Sequence, residues 1–257
     1  MNTQKSWLYP QWIAHRGGGA LAPENTLAAF RTGAAYGFRM YECDVKLSAD
    51  GQLFLLHDDT LDRTTSGQGR ADQYTFGELA RLDAGSWYSP AFAGEPVPHL
   101  AAIVRHVRSQ NHLINIEIKP VPGRDVATGA AVALDARSWW QDAAIPPLLS
   151  SFSLDALHAA RKVAPELPRA WLVDVPPEGW LEQLASIDAI ALDINHQHLT
   201  ERMVQQAHAA GYAVLCYTVN DAARAAELVR WGVDSLITDR LELFGRVTET
   251  IQSISDA

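Results

Sequence analysis

The feature that most constrains this chain is its rhythm. Nine short runs with strand character recur along it: "WIAH", "MYECDVK", "LFLLH", "LINIEIK", "PLLSSF", "RAWLV", "DAIALDI", "YAVLCYT" and "DSLITD". Helical patterns separate most of them. In the first, Pro23 suits the opening turn, Leu27, Phe30 and Ala34 share a face, and Gly37 fits the stop. "LTERMVQQAHAAG" and "NDAARAAELVRWG" repeat the design, with a polar start, an apolar stripe and a terminal glycine. Strand–helix alternation predicts a parallel sheet with helices outside it, the α/β class. If "MYECDVK" and "LFLLH" are a strand and its continuation through the turn "SADGQ", eight βα units remain, the count of a (β/α)8 TIM barrel. The alternative is a doubly wound open sheet with a dinucleotide site. It is disfavoured because "GGGALAPEN" does not give G-x-G-x-x-G running into a helix, and no acidic ribose partner stands in the expected context.

At 257 residues, 47% hydrophobic with eight tryptophans, the chain is near the upper size for one domain. The expectation is a single barrel domain over residues 1–257. An insertion at about 62–98 follows the second strand and packs on one end of the barrel. That segment is too long for an ordinary βα loop. It carries Trp87, Tyr88 and Phe92, which suit either a substrate entrance or a subunit contact. A formal net charge of −9 argues against a nucleic-acid partner. It also gives no long-range attraction for anions, so any anion site must be local. Cys43 and Cys216 read as buried free thiols, which suits a reducing compartment. No signal-peptide pattern opens the chain, and no run approaches the roughly 20 apolar residues of a membrane span. A cytoplasmic protein without stable membrane association is expected; the sequence does not set an oligomeric state.

In such a barrel, chemistry collects at the C-terminal ends of the strands. His15 and Arg16 end the first strand, beside three glycines. Glu42 and Asp44 share one face of the second, with Cys43 opposite. His57 ends its continuation, Glu117 and Lys119 share a face at the end of the next, and Asp239 follows the last. Alone, each has an ordinary structural explanation, such as a salt-bridged strand or a hydrogen-bonded histidine. Together, on a fold that gathers them, they predict a site. Glu42, Asp44 and Glu117 are a hard donor set, suited to Mg²⁺ or Ca²⁺. Three carboxylates, a divalent cation, Arg16 and Lys119 leave a formal charge of +1, matching one phosphodiester. His15 and His57 are then free to move protons. His99, His106, His112, His158 and His208 are expected to be structural. "DINHQHLT", with His196 and His198, reads as a loop in which Thr200 caps a helix.

"AHRGGGALAPENTLAAF", "YECDVKLSADGQLFLLHDDTLDRTTSGQG" and "INIEIK" resemble the glycerophosphodiester phosphodiesterase family, in the cytoplasmic bacterial form. The resemblance continues through "SSFSLDAL", "YTVND" and "SLITDR", so it runs from about Trp12 to Leu243. It implies a barrel with an inserted segment and the hydrolysis of glycerophosphodiesters, such as glycerophosphocholine and glycerophosphoethanolamine, to sn-glycerol 3-phosphate and an alcohol. It implies His15 and His57 as the acid/base pair, Arg16 and Lys119 as phosphate contacts, and Glu42, Asp44 and Glu117 as ligands of one divalent cation. Mg²⁺ is the first expectation, with Ca²⁺ or Mn²⁺ as alternatives. Glu24 and Asn25 are expected to brace the site. One departure stands out: Tyr217 occupies a place where the family commonly has tryptophan, a residue expected to pack against the glycerol end. Two rivals stay open. One is a phosphodiesterase acting on intact lipids, which would need a membrane-facing surface. The other is a non-catalytic glycerophosphodiester binder, which would be expected to have lost a histidine or a metal ligand.

Overall fold

The computed structural model describes residues 7–245. Residues 1–6 and 246–257 of the expected 1–257 domain lie outside the described residues. Eight parallel strands close into a barrel: β1 (Trp12–Ala14), β2 (Met40–Leu47), β4 (Leu113–Ile118), β5 (Leu148–Ser151), β6 (Arg169–Val173), β7 (Ala191–Asn195), β8 (Ala213–Tyr217) and β9 (Ser235–Thr238). β1 pairs with both β9 and β2, which closes the ring. The helices α1 (Leu27–Ala35), α3 (Leu100–Ser109), α4 (Asp125–Trp139), α5 (Leu154–Val163), α6 (Trp180–Ser186), α7 (Glu201–Ala209) and α8 (Ala222–Trp231) each connect one barrel strand to the next, and α9 (Leu241–Phe244) follows β9. This is the (β/α)8 TIM barrel that the alternation predicts.

One strand is arranged differently from the expectation. Leu53–Leu55 forms β3, which does not continue β2 but folds back on it antiparallel, with Val45 opposite Leu55 and Leu47 opposite Leu53. The cause is the turn between them. The Ser48 N–H donates to the Gln52 carbonyl, the Gln52 N–H donates to Ser48 Oγ, and Ser48 Oγ donates to Asp50. β3 therefore lies outside the ring. Helix α1 also starts later than Pro23 suggests. Thr26 is its cap, accepting from the Ala29 N–H, while its hydroxyl donates to the Pro23 carbonyl. Thr200 caps α7 as expected, accepting from Met203 N–H.

Strand alternation sorts the side chains. One set of faces, including Tyr41, Cys43, Ile114, Ile116, Leu149 and Cys216, joins the large core beneath the helices. Both cysteines are buried and free. The opposite faces fill the barrel. Ile13, Met40, Leu148, Ala170, Ala191, Leu215 and Ile237 form a compact apolar plug there. Two residues further along β2, β4 and β7, the same inward faces carry Glu42, Asn115 and Asp193. The interior thus changes from apolar to polar toward the C-terminal strand ends, and the site sits at that change.

The chain from β3 to α3 has a small core of its own, built on Phe54, Leu56, Leu61, Ala71, Leu79, Ala84 and Val97, and includes the short α-helix α2 (Phe76–Leu79). It is tied to the barrel rim. Glu95 accepts from the Ala28 N–H in the first turn of α1, and Tyr88 donates its hydroxyl to the Ala20 carbonyl. Among the described residues no helix is long and apolar enough to cross a membrane.

The loop after β1 is held by close packing on α1. A Cβ on Gly33, inside α1, would stand 2.3 Å from the Gly17 carbonyl oxygen and 2.9 Å from the Tyr41 ring. In an open helix, replacing glycine with alanine gains about 1 kcal/mol. Here Gly33→Ala is expected instead to cost about 1–3 kcal/mol, the scale of overpacking. Urea denaturation checks this through a lower midpoint at unchanged slope.

Candidate active site

The site begins with an unusual backbone. Arg16 and Asn25, neither of them glycine, adopt positive φ values of 50° and 59°. Such conformations are uncommon for ordinary residues and persist where surrounding bonds over-determine them. The Arg16 N–H donates to Glu42 Oε2 at 2.9 Å, and the Asn25 N–H donates to the Arg16 carbonyl at 3.0 Å. Asn25 then grips Asp44 twice: its amide donates to Oδ2 at 2.7 Å, and its Oδ1 accepts from the Asp44 N–H at 3.1 Å. Glu24 accepts from Arg16 Nη1 at 2.8 Å. The "HRGGGALAPEN" loop is therefore wired to β2 through both of its acidic residues.

Glu42, Asp44 and Glu117 converge. Each offers a carboxylate oxygen, all within 4.8 Å of one another, and all three residues are buried. Lys119 Nζ donates to Asp44 and to Glu117, each at 2.9 Å, and Arg16 Nε lies 3.5 Å from Asp44. Burial alone would raise Asp44, but the charges of Lys119, Arg16 and His57 and the Asn25 bond hold it well below the usual carboxylate range. Burial, then the charges of Asp44 and Glu117, push Glu42 far up; burial and Asp44 likewise raise Glu117. Two carboxyls driven toward neutrality beside one held ionised mark a cluster short of positive charge. Glu42 Oε1 is buried with no hydrogen-bond partner among the described residues. Hard oxygen donors, close spacing and an orphaned carboxylate oxygen all fit a divalent cation, so this acidic triad can hold one.

The two histidines flank the cluster, each anchored through one ring nitrogen. His15 Nδ1 pairs with Asp239 at 2.7 Å, and Asp239 is in turn held by Asn220 at 2.9 Å. His15 Nε2 lies 3.8 Å from Glu42. His57 Nδ1 pairs with Asp58 at 2.7 Å. Burial is the largest influence on His57 and lowers its pKa, which favours the neutral ring. Tyr217 lies in the same cavity, of about 210 Å³, with Arg16, Lys119 and both histidines. Its hydroxyl donates to the Val173 carbonyl at 2.9 Å and its ring meets Phe152 edge-on. The hydroxyl that tyrosine carries is thus already bonded to backbone, and the residue turns an aromatic wall to the cavity. Seven of the eight candidate residues line this cavity; Asp44 does not, but it accepts from Lys119, which does.

No local sequence pattern marks the partners of these residues. Arg63, in the inserted segment, donates to Asp58 through Nε at 2.6 Å and to Glu24 through Nη1 at 2.8 Å. One guanidinium therefore braces the carboxylate behind His57 and the carboxylate behind Arg16. "DRTT" gives no local hint of this, because Glu24 lies 39 positions away. Lys46, 1% exposed, continues the inward face of β2 and donates to Asp59 and to the Lys119 carbonyl. Among the other histidines, His99 caps α3 by accepting from the Ala101 N–H, His112 pairs with the Tyr41 hydroxyl, and His208 pairs with Asp234.

A (β/α)8 barrel with this cluster at its mouth has the form of a phosphoric diester hydrolase. The comparisons make the assignment specific. Residues 15–243 match the glycerophosphoryl diester phosphodiesterase family. Bacillus subtilis YhdW is 36% identical over 234 residues, covering 88% of this chain and 93% of that protein. The glycerophosphodiester phosphodiesterase of Caldanaerobacter subterraneus is 32% identical over 232 residues, with the same coverage. The structure of an Oleispira antarctica phosphodiesterase, in complex with the product sn-glycerol-3-phosphate, superposes with a TM-score of 0.84 at 35% identity, covering 96% of this chain and 97% of that one. The chain belongs to the glycerophosphoryl diester phosphodiesterase family and is an enzyme of that activity.

Arg63→Met keeps the length of the side chain and removes its fork. Loosening both braces is expected to lower kcat/KM on a glycerophosphodiester by roughly 10-fold or more, as small misplacements of reacting groups do, with the far-ultraviolet circular dichroism unchanged. The Asp58 carboxyl is held low chiefly by its bond to Arg63. That contribution to stability is present above the unfolded carboxyl's pKa of about 3.9 and disappears as pH falls through the lower folded value. The gap in Tm between wild type and Arg63→Met should therefore narrow on acidification. Equal activity at pH 7, or a gap that widens in acid, contradicts the bracing role.

Proposed function

We propose that this enzyme hydrolyses glycerophosphodiesters, with glycerophosphocholine and glycerophosphoethanolamine as representative substrates, to sn-glycerol 3-phosphate and an alcohol. Glu42, Asp44 and Glu117 would hold one divalent cation, Mg²⁺ before Ca²⁺ or Mn²⁺. The observation that carries the reading is the buried convergence of these carboxylates beside Arg16 and Lys119. When bound, such a cation supplies Lewis-acid polarisation and lowers the pKa of an attacking oxygen. The chain's own residues do the rest. Arg16 and Lys119 hold the non-bridging phosphoryl oxygens, since phosphoryl transfer depends mainly on positioning and electrostatics. Asp239 and Asp58 occupy Nδ1 of His15 and His57, which leaves each Nε2 for proton transfer. One histidine takes the proton of the neighbouring glycerol hydroxyl as that oxygen bonds to phosphorus. The other protonates the departing alcohol as its P–O bond breaks. Water then opens the cyclic phosphate, with the proton transfers reversed.

The same reading takes the whole chain, 1–257, as one catalytic domain with the segment at about 62–98 inserted. It has the enzyme acting in the cytoplasm on small molecules, without nucleic acid or stable membrane association. The acidic balance of −9 and the two free buried thiols support this.

His15→Ala and His57→Ala are each expected to lose about 10²–10⁴-fold in kcat, the range for one acid/base group. Thermal melting, followed alongside turnover, should show both variants folded. Near-normal turnover in either variant would remove that histidine from the chemistry.

A further inference from the structure

The cavity at the barrel mouth has a polar floor that the reaction described above does not use. Asn115 on β4 and Asp193 on β7 both line it, and both are 0% exposed. Among the described residues, neither Asn115 Nδ2 nor Oδ1 has a hydrogen-bond partner, and neither does Asp193 Oδ1 or Oδ2. Four unpaired polar atoms on two fully buried side chains are costly, because each forfeits its hydration without a replacement bond. Folding alone would favour apolar side chains here, continuing the plug of Leu148, Ala170 and Leu215 beneath. Unpaired buried groups of this kind are expected where a ligand completes them.

The position and chemistry of the floor indicate which part of the substrate that is. Arg16, Lys119 and the carboxylate cluster account for the phosphate, and the attacking hydroxyl must lie beside it. The departing alcohol varies among glycerophosphodiesters and suits the open mouth, where Phe152 is 47% exposed. What remains is the constant part, the terminal hydroxyl of glycerol, with one proton to donate and lone pairs to accept. Tyr217 is committed to the Val173 carbonyl, Leu172 and Ile237 are apolar, and Thr218 stands past the end of β8, half-buried at the rim rather than on the floor. Among these lining side chains, Asn115 offers a donor and an acceptor, and Asp193 offers further acceptors. We infer that Asn115 and Asp193 bind the terminal hydroxyl of the glycerol moiety and are specificity-determining residues of this enzyme. The inference rests on the proposed glycerophosphodiester reaction.

The test compares glycerophosphocholine with its analogue in which the terminal CH2OH is CH3, the attacking hydroxyl and phosphocholine being kept. Wild type is expected to favour glycerophosphocholine by roughly 10- to 100-fold in kcat/KM, the ratio that one or two hydrogen bonds supply. Asp193→Leu and Asn115→Leu should each bring that ratio close to 1, chiefly by raising KM for glycerophosphocholine. Asp193→Asn, which still bonds a hydroxyl, should keep most of it. A merely structural defect lowers both substrates together and leaves the ratio intact. A second readout separates the roles further: Asp193→Leu should melt at or above the wild-type temperature, since it removes an unpaired buried carboxyl. A wild-type ratio of 1, or leucine variants that retain the wild-type ratio, overturns the inference while leaving the proposed reaction standing. Failure of wild type to release sn-glycerol 3-phosphate with any divalent cation overturns both.

Discussion

Three acidic side chains inside a barrel repel one another and lose their water, and the rest of this structure answers that constraint. Glu42, Asp44 and Glu117 lie within 4.8 Å in a buried setting. Every nearby element contributes to tolerating them. The loop after β1 turns through two left-handed non-glycine residues, so that the Arg16 N–H meets Glu42 while Asn25 clasps Asp44. Lys119 spans Asp44 and Glu117 from β4. Even so, Glu42 keeps an unpaired buried oxygen, and burial with mutual repulsion pushes two of the carboxyls upward. Removing one partner from a compensated buried cluster costs more than the pair contributes net. The cluster therefore makes little sense as a device for stability and good sense as a receptor for positive charge. In the proposed reaction a bound divalent cation would restore the balance that folding leaves incomplete.

The stretch between β3 and α3 belongs to the same arrangement. It has its own small core, yet its polar contacts run to the site and the helix behind it: Arg63 to Asp58 and Glu24, Glu95 to the first turn of α1, Tyr88 to the loop after β1. His57 and its supporting carboxylate stand where the segment leaves β3. A rigid barrel positions the carboxylates, and the insertion fixes the second histidine and the arginine loop against it.

Much of this was legible in the sequence, for identifiable reasons. Strand–helix alternation is a local signal, and it sufficed for the barrel. Period-two alternation put Glu42 and Asp44 on one face, and the same rule paired Glu117 with Lys119. Extended by one step it also reaches Asn115, two before Glu117, and Asp193, two after Ala191; both line the same cavity. What alternation misses is direction and distance. "SADGQ" read as a passage between two stretches of one strand, whereas its Ser48 hydroxyl closes a hairpin and sends β3 back. The pairs Arg63–Glu24 and His15–Asp239 join residues 39 and 224 positions apart, and no local pattern carries them. Nor does any local pattern mark the acceptor of the Tyr217 hydroxyl, the Val173 carbonyl on β6, two strands away across β7.

The measurement that tests the central claim most directly is release of sn-glycerol 3-phosphate from glycerophosphocholine and glycerophosphoethanolamine, first in chelator and then with Mg²⁺, Ca²⁺ or Mn²⁺ restored in turn. The account predicts no detectable release in chelator and recovery from both substrates on adding a divalent cation. Undiminished release in chelator, from protein shown to be free of metal, would contradict it.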